Sequence, residues 1–102
     1  MKRTALVLEH WEVRGGEIHG REGRYSSKAL AEQAAALWGG EVHTVEATYA
    51  VDDLVEVDAY NGWRPGTVVG LGRSKVAVAY ELPSGTRIRS FAAQDIRPRS
   101  AS

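Results

Sequence analysis

The stretch Asp52–Leu71, DDLVEVDAYNGWRPGTVVGL, decides the reading of the fold. From Leu54 to Tyr60, valines alternate with acids, the period of a strand buried on one face. Asn61-Gly62 is a strong turn dipeptide, and Arg64 to Leu71 reads as the returning strand. Pro65 stands near the start of that strand, where a missing N–H is tolerated. The paired acids Asp52-Asp53 read as turn residues at its entry. Downstream the pattern repeats. GLGRS is a turn, Lys75 to Leu82 a strand, Pro83-Ser84-Gly85 a turn and Thr86 to Phe91 a strand. Ala92 to Ile96 reads as a short helical turn leading to a strand remnant at Arg97-Pro98. Short strands at roughly ten-residue spacing predict a small closed five-stranded β-barrel over residues 51–98, with 99–102 as a disordered tail.

Upstream the periods change. Thr4 to Arg14 is rich in strand formers, Gly15-Gly16 is a two-residue turn signal, and Glu17 to Tyr25 returns. A tight turn there sets Arg14 opposite Glu17, Val13 opposite Ile18, Glu12 opposite His19 and His10 opposite Arg21. One face then carries Trp11, Val13 and Ile18, and the other carries cross-paired charges. Ser26 or Ser27 can cap a helix over Lys28 to Trp38, which Gly39-Gly40 ends. Leu30, Ala34, Leu37 and Trp38 form its expected apolar stripe. A third strand, Glu41 to Val51, is expected to return beside the first. Residues 1–50 thus read as a ββαβ lobe, and the fold class as α+β: a ββαβ layer followed by the barrel.

The C-terminal half resembles the Tudor/Agenet group of SH3-like barrels. DDLVEVDAYNGWRPGTVVGL looks like the family's opening two strands, KVAVAYEL like its third, and AAQDIRP like its closing corner. The resemblance covers about half the chain and implies the barrel fold. It also implies a reader of methylated lysine or arginine with an aromatic cage at Tyr60, Trp63 and Tyr80, Phe91 being near in sequence. Two departures bear on that cage. Arg64 stands where readers usually place an aromatic, and Leu82-Pro83-Ser84-Gly85 supplies neither a second tyrosine nor an asparagine. The stretch GRYSSKALAEQAAALWGGEV is similar to small hairpin–helix modules, including the arm-binding domains of phage-type integrases.

Composition excludes several classes. The chain of 102 residues has no cysteine, so disulfide scaffolds, thiolate metal sites and cysteine nucleophiles are ruled out. No apolar run reaches the ~20 residues of a membrane span, and the stretch after Met1-Lys2-Arg3 is too short for a signal peptide. A soluble, cytoplasmic protein is the expectation. Thirteen basic residues balance thirteen acidic ones, but unevenly along the chain. Glu41 to Asp58 carries six acids and no lysine or arginine, whereas Arg64 to Arg99 carries seven bases against Glu81 and Asp95.

That asymmetry carries the leading functional expectation: a small non-enzymatic protein that binds DNA or RNA. Trp63, Arg64, Arg73, Lys75, Arg87 and Arg89 would form the interface, with charge for phosphate and a π-face for a base. The competing expectation is a protein–protein adaptor or peptide reader using Tyr60, Trp63, Tyr80 and Phe91. A phage or mobile-element protein of narrow purpose also fits the size and composition. His10, Glu12 and His19 form a metal-ligand set in principle, but a solvated face of alternating charge accounts for them, and no metal or cofactor is expected. The serines fall in caps, turns, an edge strand or the tail, and the glycines of GLGRSK join two strands rather than opening a helix. No enzyme is expected from these residues.

Overall fold

In chain order the elements are β1 (Leu6–Arg14), β2 (Arg24–Tyr25), α1 (Lys28–Trp38), β3 (Glu41–Tyr49), β4 (Leu54–Asp58), β5 (Trp63–Leu71), β6 (Val76–Leu82), β7 (Gly85–Phe91), a 3-10 turn (Ala93–Asp95) and β8 (Ile96–Pro98). This computed structural model describes residues 4–16 and 23–99. The described residues form an α+β protein with one α-helix and eight strands in two sheets, ordered β2-β1-β3 and β7-β6-β5-β4-β8. Among them, no helix is long and apolar enough to cross a membrane. The chain falls into two compact units: Glu9–Glu46, and a second whose described part is residues 4–8 and 47–99.

In the Glu9–Glu46 unit, α1 has the expected bounds for local reasons. The Ser27 hydroxyl accepts the Leu30 amide at 3.2 Å, and Gly39, at a φ of 83°, ends the helix with its own N–H donated to the Ala35 carbonyl at 2.8 Å. Its buried face differs from the expected stripe. Ala31 and Ala34 are buried, while Leu30, Leu37 and Trp38 are exposed, Leu37 by 75%. The reason is volume. Trp11 and Tyr25 bring large rings to the same core, together with Val13, Ala35 and Val42, so the helix positions facing them are small.

β3 lies beside β1, as expected. The pairing of β1 with β2 corrects the tight hairpin: Trp11 faces Tyr25 and Glu12 faces Arg24, rather than Glu12 facing His19. The other expected partners, Glu17, Ile18, His19 and Arg21, lie outside the described residues. Gly15-Gly16 serves a different end. A Cβ on Gly16 would stand 2.5 Å from the Gly39 carbonyl carbon, and one on Gly40 would stand 2.8 Å from the Gly15 oxygen. The two glycine pairs let the end of β1 and the chain leaving α1 approach backbone to backbone.

The five-stranded sheet is an antiparallel meander whose last short strand, β8, returns to pair with β4. Its strands match the sequence reading to within a residue or two, because each is bounded by local turn chemistry. The first turn is shifted by one residue. Ala59 donates to the Gly62 carbonyl at 2.9 Å, so Tyr60-Asn61 forms the loop, at φ of 54° and 65°, and not Asn61-Gly62. Positive φ at both central residues is the geometry of a type I′ turn. At the β4 entry, the Asp53 carboxylate accepts the Ala50 amide at 2.8 Å, as turn acids do. Val68 pairs with Val78 and Gly70 with Ala77, which leaves Val69 as the extra residue of a β-bulge.

One face of this sheet builds the core of its unit. Val55, Val57, Val68, Val76, Val78, Tyr80, Phe91 and Ile96 are buried there, joined by Leu6 and Leu8 from the start of β1 and Tyr49 from the end of β3. The Tyr49 hydroxyl donates to the Ile96 carbonyl at 3.3 Å.

Candidate nucleic-acid interface

β7 is an outer strand with β6 as its paired neighbour. Register sets Arg87 opposite Tyr80, Arg89 opposite Val78 and Phe91 opposite Val76. Opposed residues share a face, so both arginines project on the side that builds the core. Phe91 is buried, but Gly85 to Ser90 are all exposed, and a depression of about 490 Å³ runs along Ser84–Arg89. The core face therefore continues past its buried part onto an open edge that carries two guanidinium groups. The Arg89 guanidinium carbon lies 5.5 Å from the Phe91 ring centroid, which directs it over the rim of the core. Arg73 and Lys75 occupy the exposed β5–β6 turn, closed by the Gly72 amide on the Lys75 carbonyl at 2.9 Å. Lys75 directly precedes the Val76–Phe91 pair, about three strand residues, or ~10 Å, from the row of Arg89.

Among the described residues, none of Arg73, Lys75, Arg87 and Arg89 is held in an ion pair. Glu81, the acid nearest in strand register, faces Thr86 on the opposite side of β6 and accepts its hydroxyl at 3.1 Å. The strand alternation that groups the arginines thus separates them from that acid.

The other two residues of the expected interface are placed elsewhere. Arg64 donates from Nε to the Ala59 carbonyl at 3.4 Å and from Nη2 to the Tyr60 carbonyl at 3.2 Å, bracing the β4–β5 turn. Trp63 faces Asp58 in the β4–β5 pairing, and the Arg97 guanidinium carbon lies 4.0 Å from its ring centroid. Arg97 is itself anchored by Glu56 at 2.9 Å. Both residues lie on β5, which β6 separates from β7, about two strand spacings or ~10 Å away.

The aromatic set Tyr60, Trp63, Tyr80 and Phe91 is divided. Tyr60 is exposed at the tip of the β4–β5 turn, while Tyr80 and Phe91 are core residues in edge-to-face contact with centroids 5.5 Å apart. Tyr80 is 0% exposed, and its hydroxyl has no hydrogen-bond partner among the described residues. An Arg97–Trp63 stack could not be foreseen, because the two residues are far apart in sequence and nothing local marks the pair.

A second charged cluster lies in the other unit. His10, Glu12 and Arg14 alternate along β1, and Arg24 comes from β2. Glu12 accepts His10 Nε2 at 2.8 Å, Arg14 Nη2 at 3.1 Å and Arg24 Nη1 at 3.5 Å. His10 and Arg24 are buried, which corrects the expected solvated face. Burial holds the His10 imidazole below its ordinary pKa, against the pull of its hydrogen bond to Glu12. Burial alone would push the Glu12 carboxyl up, but the hydrogen bonds from His10 and Arg14 and the charge of Arg24 outweigh it and hold the group low. An ionised carboxylate only accepts, so His10 Nε2 carries the proton. The H-x-E-x-R alternation was visible in the sequence, and its burial was not. Among the described residues, no group of three or more side chains is arranged to hold a metal ion. No protein-family model, curated protein or solved structure matches the chain.

Proposed function

We propose that this chain is a small, non-enzymatic, cytoplasmic protein that binds nucleic acid through one basic edge of an SH3/Tudor-like barrel built from β4 to β8. The barrel reading is supported by the meander order, with β8 returning to β4 after a 3-10 turn, and by the residues quoted for the resemblance. The functional reading rests on one observation. Arg87 and Arg89 project together from an open strand edge, with Arg73 and Lys75 in the adjoining turn, and no described acid neutralises them. Glu81, the nearest acid in strand register, is engaged with the Thr86 hydroxyl on the other side of the sheet. Four cations on phosphates release about four counterions, so affinity for duplex DNA should fall about 150-fold between ~50 and ~200 mM salt. Fluorescence anisotropy with labelled DNA and RNA measures this directly. Arg87→Glu/Arg89→Glu should abolish binding or cut the salt dependence to about 12-fold or less, with the far-UV spectrum unchanged. Absence of binding at low salt, or binding indifferent to salt, overturns the proposal.

A further inference from the structure

Resting on the nucleic-acid reading, we propose that the β7 edge recognises the phosphate backbone alone, so that its ligand is any phosphodiester chain irrespective of its bases. Among the described residues, the fold offers no open aromatic ring of this unit beside the β7 cations. Recognition of single strands ordinarily pairs a basic groove with exposed rings on which bases stack. Here Tyr49, Tyr80 and Phe91 are buried, and the approach to Phe91 is taken by Arg89. Trp63 already stacks against Arg97. The exposed ring that remains, Tyr60, sits on the β4–β5 turn, two to three strand spacings from β7, or ~10–14 Å across the sheet.

What the edge does offer is regular charge. Arg87 and Arg89 are two strand residues apart, about 6.8 Å. Successive phosphates of one strand rise ~3.4 Å along the duplex axis but wind around it and so stand farther apart in space, a spacing that lets each guanidinium group take its own phosphate of one strand. On the other side of β7, Thr86 donates its hydroxyl to Glu81 and Ile88 is apolar, which leaves the Ser90 hydroxyl as the one side-chain donor there among the described residues. Contacts of this kind position a backbone and carry no sequence information.

The test is competition against a labelled mixed-sequence duplex at about 50 mM salt, using unlabelled chains of about 20 residues. The competitors are oligo-dT, an abasic deoxyribose-phosphate oligomer of the same length, and duplexes made only of A·T or only of G·C pairs. The abasic chain should compete within about twofold of oligo-dT, and the two duplexes within about twofold of each other. Tyr60→Ser should leave every affinity unchanged. One stacked base is worth roughly 5- to 150-fold, so an abasic chain about fivefold weaker or more overturns the inference while leaving nucleic-acid binding standing. A tenfold preference for G·C, from arginine reading guanine, does the same. Failure of every chain to bind overturns both readings.

Discussion

Tyr80→Phe should stabilise this protein. Tyr80 is 0% exposed, packed edge-to-face on Phe91, and its hydroxyl is buried without a hydrogen-bond partner among the described residues. Folding takes that hydroxyl from water and returns nothing, at a cost of about 1–3 kcal/mol on mutational scales. Phenylalanine keeps the ring and the contact with Phe91. The space left by one oxygen is no larger than a water-sized probe, roughly 10–15 Å³. At ~24 cal/mol per Å³ such a void costs about 0.2–0.4 kcal/mol, well below the desolvation it replaces. The expected net gain is about 1–2 kcal/mol, or some 5–10 °C in Tm for a domain of this size. Urea denaturation followed by circular dichroism reads it as a higher midpoint at unchanged slope. Tyr80→Ala serves as the control for burial and should cost about 3–5 kcal/mol, as loss of a large buried ring does. A Tyr80→Phe variant less stable than the parent by about 0.5 kcal/mol or more would refute the reasoning, because the hydroxyl must then be satisfied in solution.

Three other outcomes are expected from stability measurements. A Cβ on Gly66 would stand 2.6 Å from Val78 Cγ1 and 2.8 Å from the Ala79 oxygen, so Gly66→Ala should destabilise by about 1–3 kcal/mol through overpacking. An unchanged urea midpoint would contradict that close approach. Tyr60 sits at a positive φ in a type I′ turn, so Tyr60→Asn/Asn61→Gly should raise stability by about 1 kcal/mol. A loss on thermal melting would mean that the tyrosine ring holds the turn. The third outcome concerns pH. His10 is held below its ordinary value of 6.5 in the folded chain, so below that pH the unfolded chain binds the extra proton. Stability should therefore fall as pH drops from 6.5 towards the folded value, and fall again from 4.5 downward as Glu12 protonates. His10→Gln should remove the first loss and keep the second, and an unaltered slope in that variant would place the effect elsewhere.

The helix bounds were legible residue by residue, because Ser27 and Gly39 act within one turn of the groups they satisfy. The meander from Leu54 to Pro98 was legible for the same reason, as each turn is closed by its own residues. The register of β1 with β2 was not. Gly15-Gly16 is equally a turn signal and a close-approach signal, and the contact with Gly39 and Gly40 that decides between them lies some two dozen residues away. The apolar stripe on α1 failed similarly: periodicity marks which side of a helix is greasy, while the rings of Trp11 and Tyr25 determine where only alanine fits. Within the candidate interface, the pairing of Arg87 with Arg89 on one side of β7 followed from strand alternation alone. The removal of Trp63 and Arg64 from it did not, because Arg97 and the Tyr60 carbonyl reach them through folded geometry.

The sequence by itself therefore determined the elements, their order and the charged character of the last strands. Capping, turn chemistry and strand alternation act over a few residues and are written locally. Only the tertiary structure decided which residues carrying that chemistry remain available. It buried Tyr80 and Phe91 and stacked Arg97 on Trp63. It engaged Glu81 with Thr86, and it left Arg73, Lys75, Arg87 and Arg89 without a described ion pair. Availability depends on what else reaches the same point in space, and that is set by contacts between residues far apart in the chain.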